Sequence, residues 1–258
     1  MRLARFEQDG PRVGVVTPAG VRDVTALADG CPGTGSPMRR LIASFSGVRH
    51  ALEDRVGRGD LFPLDQLRLL TPVPDPSKVV AAPVNYRAHM DEMHQDSHID
   101  ALGVFLKAPS SLLDPGGMVR LPYHDRRFDQ EGELAVVIGA EATRVPEERA
   151  LDHVLGYTCL LDVTMRGGED RSTRKSFDTF TPCGPYLVTA DEVGPSEQLA
   201  LRCWVNGGLR QEASTGDLIW GVARLVAYVS SVMTLLPGDI VSTGTPEGVG
   251  PLAEGDRV

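Results

Sequence analysis

Cysteines, basic clusters and long apolar runs are all scarce in this sequence of 258 residues. Its four cysteines are scattered along the chain: Cys31, Cys159, Cys183 and Cys203. They form no Cys-x-x-Cys pair, which argues against a disulfide scaffold or a zinc ribbon and favours reduced, mostly buried thiols. No apolar run approaches the roughly 18 residues of a membrane helix, and the N-terminus carries no apolar signal segment. We therefore expect a cytoplasmic protein with no membrane partner.

Charge and missing motifs exclude further classes of function. The formal net charge is −9, and no basic stretch is longer than Asp125–Arg127. Because nucleic acid requires a basic face, we expect no nucleic-acid partner. Neither a Gly-x-Gly-x-x-Gly motif nor a P-loop occurs, so the sequence does not support nucleotide binding. The absence of Gly-x-Ser-x-Gly and His-Glu-x-x-His removes two common hydrolase designs.

The first 70 residues are predicted to form a small α/β unit. Short strands are predicted at Arg2–Phe6, Arg12–Val16 and Val21–Leu27, with helices at Met38–Ser46 and Ala51–Arg58. The alternating prolines of Leu70–Pro76 favour an extended linker. We place a domain boundary there, between an N-terminal domain (1–70) and a larger domain (71–258).

The larger domain is rich in short predicted strands. They are Lys78–Ala82, Val104–Lys107, Met118–Leu121, Leu134–Ile138, Tyr157–Leu161, Pro185–Thr189 and Leu199–Val205. Asn206–Gly208 predicts a hairpin turn, and apolar residues at helical spacing predict one long helix over Asp217–Leu235. Many strands with few helices favour a closed or rolled β-architecture over a doubly wound sheet.

Three acidic residues lie at predicted strand ends. Glu131 and Glu133 are two residues apart at the mouth of a strand and share one face of the sheet. Asp162 follows a second apolar run. Carboxylates held this close repel each other unless a cation compensates, and an all-oxygen site suits Mg²⁺ or Mn²⁺. The alternative is a pair of acids on a half-exposed strand that simply face water.

His89 and Glu92 suggest a base that activates water. On a helix these residues share a face, and the carboxylate would orient the imidazole and raise its basicity. The alternative is an ordinary charge pair on a solvated helix. The polar segment Met93–Gly103 that follows suggests a mobile lid, although His94 and His98 could instead form a second metal site.

Cations and a glycine-rich loop suggest an anionic substrate. Lys107, Arg166 and Lys175 lie near the acidic strand ends, although each could be a surface charge without a role. In the loop Ser242–Gly250, the backbone amides and Thr245 could hold a carboxylate.

In combination, these motifs resemble the fumarylacetoacetate hydrolase family over roughly two-thirds of the chain, from about Lys78 onwards. The resemblance rests on segments in the family's order: Asn85–Glu92, Phe105–Lys107, Glu131–Gly139, Gly156–Thr164, Lys175–Thr179, Gly184–Pro185, Asn206–Gln211, Leu236–Asp239 and Thr243–Gly250. It implies an α+β, mainly β fold, a mixed β-sandwich roll or barrel preceded by a small α/β domain, and a homodimer.

The resemblance also implies roles for individual residues. Glu131, Glu133 and Asp162 match the ligands of Mg²⁺, Mn²⁺ or Ca²⁺. His89, Glu92 and Lys175 match catalytic positions, whereas Tyr86, Lys107, Arg166, Gly244 and Thr245 match substrate-binding positions. The segment between Asp162 and Lys175 is shorter than in many members.

The function expected from this resemblance is metal-dependent hydrolysis of a C–C bond. The substrate would be an acylpyruvate-like 2,4-dioxo acid, which yields pyruvate and a carboxylic acid. The alternative on the same scaffold is an isomerase or decarboxylase of hydroxymuconate- or oxaloacetate-type 2-oxo acids. A third hypothesis is a non-catalytic protein that binds metal and an oxo acid.

Overall fold

The computed structural model describes all residues from Met1 to Val258. The helices are α1 (Thr25–Asp29), α2 (Pro37–Val56), α3 (Arg87–Glu92), α4 (Ile99–Leu102), α5 (Glu147–Ala150), α6 (Arg171–Lys175), α7 (Ala190–Val193) and α8 (Val222–Val232). The strands are β1 (Arg2–Glu7), β2 (Pro11–Thr17), β3 (Gly20–Asp23), β4 (Leu61–Phe62), β5 (Arg68–Leu70), β6 (Val79–Ala81), β7 (Phe105–Lys107), β8 (Leu112–Leu113), β9 (Phe128–Gln130), β10 (Gly132–Ile138), β11 (Val154–Leu161), β12 (Thr164–Met165), β13 (Thr181–Thr189), β14 (Ala200–Val205), β15 (Gly208–Ser214), β16 (Ile240–Ser242) and β17 (Gly250–Pro251).

One large sheet of 12 strands forms the centre of the molecule. Its main path is β4-β3-β2-β1-β13-β11-β10-β16-β6-β7, with β5 attached to β1 and β8 to β13. This path does not return on itself, so the closed-barrel form of the predicted roll or barrel is absent, and the predicted α+β, mainly β class is confirmed. Closure is not needed to bury apolar side chains, because helices cover both faces of the open sheet.

The alternation of β10 divides the core into two clusters. Ala135 and Val137 point into the cluster that packs against α2, and Val136 and Ile138 point into the cluster that packs against α8. Successive side chains of a strand point to opposite faces, so a continuous apolar run fits a strand covered on both sides. Strand β10, which contains Glu133, therefore contributes to both halves of the core.

The first 70 residues share the central sheet with the rest of the chain. Strand β1 pairs antiparallel with β13, and Leu3 lies opposite Leu187. The cluster beneath α2 combines Leu3 with Ile240 near the other end of the chain. The hydrophobic core is therefore continuous across residue 70, and the domain boundary placed there stays a prediction.

Two predicted helices form one. Helix α2 runs without a break from Pro37 to Val56, through Gly47. A glycine inside a helix costs only about 1 kcal/mol relative to alanine. Phe45 and Leu52, on either side of Gly47, both bury in the core and offset that cost.

Two predicted strands are wrong in whole or in part. Strand β3 ends at Asp23, whose carboxylate accepts a hydrogen bond from the backbone N–H of Thr25 at 2.7 Å and so starts α1. Met118–Leu121 forms no strand, and the Met118 side chain is 80% exposed. This segment has no neighbouring strand with which to pair. The local sequence does not reveal whether such a partner strand exists.

The predicted hairpin is confirmed, and the long helix is shorter than expected. Asn206 and Gly207 both have positive φ (52° and 79°), as a two-residue turn between β14 and β15 requires. Helix α8 begins only at Val222, because Ser214 and Asp217 form a capping box around a separate 3₁₀ turn. No helix has the combination of length and apolar character that crossing a membrane requires.

Candidate metal and substrate site

Antiparallel pairing of β10 with β11 assembles three buried carboxylates. Glu133 lies opposite Leu160, and the backbone N–H of Asp162 donates to the carbonyl of Glu131 at 2.8 Å. One carboxylate oxygen from each of Glu131, Glu133 and Asp162 lies within 4.8 Å of the others, and all three residues are buried. The strand ends meet as the sequence predicted, and we call these three residues the acidic triad.

The negative charge of Glu131 is compensated by two cations. Lys175 donates to its Oε2 at 2.7 Å, and Arg166 donates to its Oε1 at 3.0 Å. Burial by itself would raise the pKa of Glu131, but the positive charges of Lys175 and Arg166 outweigh it and lower that pKa to about 2. Glu131 is therefore a carboxylate at neutral pH.

Glu133 lacks a cationic partner. Ser242 Oγ and the backbone N–H of Gly244 donate to its Oε2, at 2.5 and 2.9 Å. Burial, followed by the negative charge of Asp162, raises the pKa of Glu133 to about 8. A divalent cation would supply the positive charge that this carboxyl group lacks, and three carboxylates are the donor set that Mg²⁺ and Mn²⁺ prefer. The residues present therefore fit such an ion.

Lys107 lies behind the acidic triad and not on a pocket wall. Its ammonium group donates to Asp162 Oδ1 at 2.5 Å and to the backbone carbonyls of Lys175 and Phe180 at 2.5 and 3.3 Å. The Lys107 side chain is fully buried, and burial lowers its pKa with only partial compensation by Asp162. Its three donors are thus occupied by protein groups, so this position argues against the predicted substrate contact and favours a role in holding Asp162.

His89 and Glu92 form the predicted pair on α3. The Nδ1 atom of His89 lies 3.3 Å from Glu92 Oε2, and the other oxygen of Glu92 accepts a hydrogen bond from the backbone N–H of Gly248 at 2.9 Å. The glycine-rich loop thereby holds Glu92, and Glu92 holds the imidazole. With its proton on Nδ1, the ring keeps Nε2 as its basic nitrogen.

A pocket of about 240 Å³ brings the predicted catalytic groups together. Its wall includes His89, Glu131, Glu133, Lys175 and Thr245. Lys175 also donates to Asp162 Oδ2, so its ammonium group bridges two members of the acidic triad. The pocket thus combines a candidate metal centre, a candidate base and a cation within one small volume.

Gln211 organises the Thr245 side of the pocket. The fully buried Gln211 donates from Nε2 to Thr245 Oγ1 at 2.7 Å and accepts from the backbone N–H of Gly132 at 2.8 Å. Thr245 in turn donates to the carbonyl of Gly132 at 2.9 Å. Gln211 ends the segment Asn206–Gln211, one of those that carry the family resemblance. No local sequence pattern predicts that it supports Thr245, because its hydrogen-bond partners come from distant parts of the chain.

Two other predicted substrate contacts lie away from the pocket wall. Tyr86 is 1% exposed and its hydroxyl has no hydrogen-bond partner, while Gly244 contributes its backbone N–H to Glu133. Arg166 does line the pocket, although its guanidinium also donates to Asp129 and Glu131. Arg171 and Arg174, which no prediction named, line the same wall.

The segment Met93–Gly103 borders the pocket through Met93 and Gln95. Asp100 anchors it by accepting hydrogen bonds from Trp220 Nε1 and from Arg224. The alternative second metal site is not assembled: α3 ends at Glu92 and α4 begins at Ile99, so His94 and His98 do not share a helix face. A closing movement of this segment stays a prediction.

Comparison with known proteins places this geometry in a family. The fumarylacetoacetate (FAA) hydrolase C-terminal model matches residues 78–258. Maleylpyruvate hydrolase from Aquipseudomonas alcaligenes is 43% identical over 272 residues, which span 100% of this chain and 94% of that protein. The crystal structure of maleylpyruvate hydrolase from Sphingobium sp. SYK-6, in complex with manganese(II) and pyruvate, has a TM-score of 0.88 at 43% identity and covers 99% of this chain and 92% of that one.

A relative with a different reaction has the same fold. The crystal structure of 5-carboxymethyl-2-hydroxymuconate delta-isomerase from Mycobacterium smegmatis is 34% identical, has a TM-score of 0.77 and covers 99% of this chain and 92% of that one. The resemblance inferred from motifs is confirmed over the full sequence. The chain belongs to the fumarylacetoacetate hydrolase family.

Proposed function

We propose that this protein is a divalent-metal-dependent hydrolase of acylpyruvates, 2,4-dioxo acids that it cleaves to pyruvate and a carboxylic acid. The observation that carries the proposal is the position of His89. Held by Glu92, it lies on the same pocket wall as Glu131 and Glu133. Hydrolysis by an attacking water requires such a base, whereas the alternative decarboxylation and isomerisation need no attacking water. The full-length similarity to two maleylpyruvate hydrolases supports the same reaction.

The acidic triad holds the ion in this proposal. A bound Mg²⁺ or Mn²⁺ supplies Lewis-acid polarisation of the oxygens of a 2-oxo acid. Glu131, Glu133 and Asp162 are its ligands, and Lys107 keeps Asp162 in place from behind. The Sphingobium relative was crystallised in complex with manganese(II) and pyruvate, which supports a divalent ion and a pyruvate product for this protein as well.

His89 acts as the general base. It takes a proton from a water molecule, whose oxygen bonds to the acyl carbonyl carbon at C4 of the substrate. Glu92 stabilises the imidazolium that forms and keeps the ring oriented. The C3–C4 bond then breaks: its electron pair goes to C3 as the enolate of pyruvate, and the acyl part leaves as a carboxylic acid. A proton returned to C3 completes pyruvate, so one water is consumed for each substrate.

Lys175 stabilises the negative charge that develops on the pyruvate enolate. Its ammonium group is buried among the acidic triad, whose negative charges outweigh the effect of burial and raise its pKa. Lys175 therefore remains charged through the reaction. A fixed positive charge in a site with little water is a strong source of transition-state stabilisation.

Product analysis tests the proposal. Acetylpyruvate is incubated with the protein and Mn²⁺ or Mg²⁺, with and without chelator, and products are identified by NMR. The expected result is metal-dependent release of pyruvate and acetate in equal amounts. Release of CO₂ from oxaloacetate, or double-bond migration in a hydroxymuconate-type diacid, without cleavage of acetylpyruvate would overturn the proposal in favour of the alternative reactions.

The assembly that we propose is a homodimer. A groove of about 740 Å³ runs between β11, β13 and the β14–β15 hairpin, and most of its lining side chains are apolar. Trp204 on its rim is 47% exposed. A second copy of this chain is the occupant we propose, because exposed apolar surface of this kind is typical of subunit interfaces. The groove also touches Glu133, which would link assembly to the metal centre.

The location that we propose is the cytoplasm. All four cysteines are free thiols, and Cys31, Cys183 and Cys203 are buried. Reducing compartments keep thiols in this state.

A further inference from the structure

Two arginines on the pocket wall have no anionic partner. Arg171 and Arg174 both line the pocket, and neither forms an ion pair. The Nε atom of Arg174 is buried without any hydrogen-bond partner. Unpaired polar atoms of this kind are rare in folded proteins, and a charged one in a pocket points to a ligand.

Neighbouring arginines, in contrast, are neutralised by acids of the protein. Arg126 donates to both carboxylate oxygens of Glu169, at 2.9 and 2.8 Å. Arg166 donates to Asp129 Oδ2 at 2.5 Å as well as to the acidic triad. The chain thus supplies acids for Arg126 and for Arg166, which also lines the pocket, and leaves Arg171 and Arg174 unpaired.

Helix α6 sets the positions of these two side chains. Asp170 caps it by accepting a hydrogen bond from the backbone N–H of Ser172 at 2.8 Å. Arg171 and Arg174 are three residues apart and lie on the same face of the helix. Lys175, the next residue, instead points into the acidic triad. One short helix therefore delivers one cation to the metal centre and two to the wall beside it.

The unpaired state of Arg174 is electrostatically unfavourable. Burial lowers the pKa of its guanidinium, and the positive charges of Arg166 and Arg171 lower it further. Glu131 and Asp162 compensate only in part. An anion bound between Arg171 and Arg174 would remove this penalty, and a carboxylate suits the planar, two-pronged guanidinium group best.

We propose that Arg171 and Arg174 bind a second, distal carboxylate of the substrate, so that the protein prefers acylpyruvates whose acyl chain ends in a carboxylate. This inference rests on the proposed hydrolase function, which places the 2-oxo acid end of the substrate at the acidic triad. The acyl chain then extends along the wall that α6 forms. Hydrolysis of such a substrate yields pyruvate and a dicarboxylic acid.

Steady-state kinetics on two substrates test this assignment. Maleylpyruvate carries a distal carboxylate, and acetylpyruvate has a methyl group instead. Arg174→Gln and Arg171→Gln should each lower kcat/KM for maleylpyruvate about 10- to 100-fold, mainly through KM, because each removes a charge-assisted hydrogen bond. Acetylpyruvate turnover should stay within about twofold of that of the unchanged protein, because acetylpyruvate has no distal carboxylate to lose. For maleylpyruvate, the substitutions remove binding that the ground state and the transition state share. Arg174→Lys should recover part of the loss.

Arg120→Gln is the matched control, because Arg120 is exposed and does not line the pocket. Both substrates should be cleaved by this variant as by the unchanged protein. Equal losses on both substrates in the Arg174→Gln variant would indicate a structural role and overturn the inference. Unchanged kinetics on maleylpyruvate in both glutamine variants would overturn it as well.

Calorimetric binding separates this inference from the hydrolase proposal. Maleate and pyruvate are titrated separately into the manganese-loaded protein. Arg174→Gln should weaken maleate binding about 10-fold or more and leave pyruvate binding unchanged. If the unchanged protein cleaves neither substrate yet binds maleate through the arginines, the hydrolase function fails and the carboxylate site stands. Maleate binding that does not depend on either arginine contradicts the site itself.

Discussion

Individual carboxylates in the acidic triad differ sharply in how their charge is balanced. Glu131 has two cationic neighbours and a pKa near 2, whereas Glu133 has only neutral donors and a pKa near 8. The difference arises because Lys175 and Arg166 approach the triad from the side of Glu131. Glu131 therefore provides a negative charge for a cation at neutral pH.

Replacing Glu131 tests the metal centre. Glu131→Gln removes that charge and one ligand, so Mn²⁺ binding and hydrolysis should be lost together. Calorimetric titration with Mn²⁺ and a product assay measure the two effects. Glu212→Gln is the control, since Glu212 is exposed, is paired with Arg202 and does not line the pocket. Tight Mn²⁺ binding by Glu131→Gln would show that the ion is held elsewhere.

Replacing His89 tests the base. His89→Ala should reduce kcat about 10²- to 10⁴-fold, the usual contribution of general acid–base catalysis. Mn²⁺ affinity should not change, because His89 is not a member of the acidic triad. The exposed His124 offers a control, and His124→Ala should retain full activity. Full hydrolysis by His89→Ala would remove the water-activating role from the mechanism.

At the level of elements, the site depends on how β16 and β6 are joined. These strands pair in parallel, and the loop Ser242–Gly250 that supports Glu133 and Glu92 starts from β16. Asp239, directly before β16, is fully buried and accepts hydrogen bonds from the backbone of both Lys78 and Leu236. The Asp239 carboxylate therefore links the beginnings of β6 and β16.

Replacing Asp239 tests this connection. Asp239→Ala leaves three backbone donors, the Ser77 hydroxyl and the Lys78 ammonium group without their carboxylate partner; the backbone donors are the N–H groups of Ser77, Lys78 and Leu236. We expect a loss of about 3 kcal/mol in the free energy of unfolding, as for other buried charged hydrogen-bonding groups. Urea denaturation followed by circular dichroism measures it. Asp152→Ala, at an exposed pair with Arg149, should cost less than about 1 kcal/mol, and equal losses would contradict the argument.

At the level of the whole molecule, the central strands β11 and β13 contribute to the core and also line an apolar groove. Helices α2 and α8 cover the core, whereas this groove is left uncovered by the chain itself. The exposed Trp204 and Leu209 lie on the β14–β15 hairpin, and Trp204 lines the groove. A second copy would bury this surface and shield the approach to Glu133.

Replacing Trp204 tests the homodimer. Trp204→Arg places a charge in the apolar groove and should convert a dimer to a monomer in analytical ultracentrifugation. Met118→Arg is the matched control, because Met118 is an exposed apolar residue outside the groove. We expect that control to sediment as the unchanged protein does. A monomer in the unchanged protein, or a dimer that survives Trp204→Arg, contradicts this interface.

The sequence by itself determined the candidate residues and, through the family resemblance, the chemistry expected of them, and only the tertiary structure decided which residues reach the pocket. Local spacing left water-facing acids and an ordinary charge pair open as alternatives, and in the structure strand ends and a single helical turn bring the triad and the His89–Glu92 pair together. The positions of Lys107, Tyr86 and Gln211 depend on contacts between distant segments, which local patterns do not encode. Which of the arginines near the pocket pair with an acid, and which do not, likewise arises from packing. The open sheet, with a helix layer on each face, follows from the same long-range contacts.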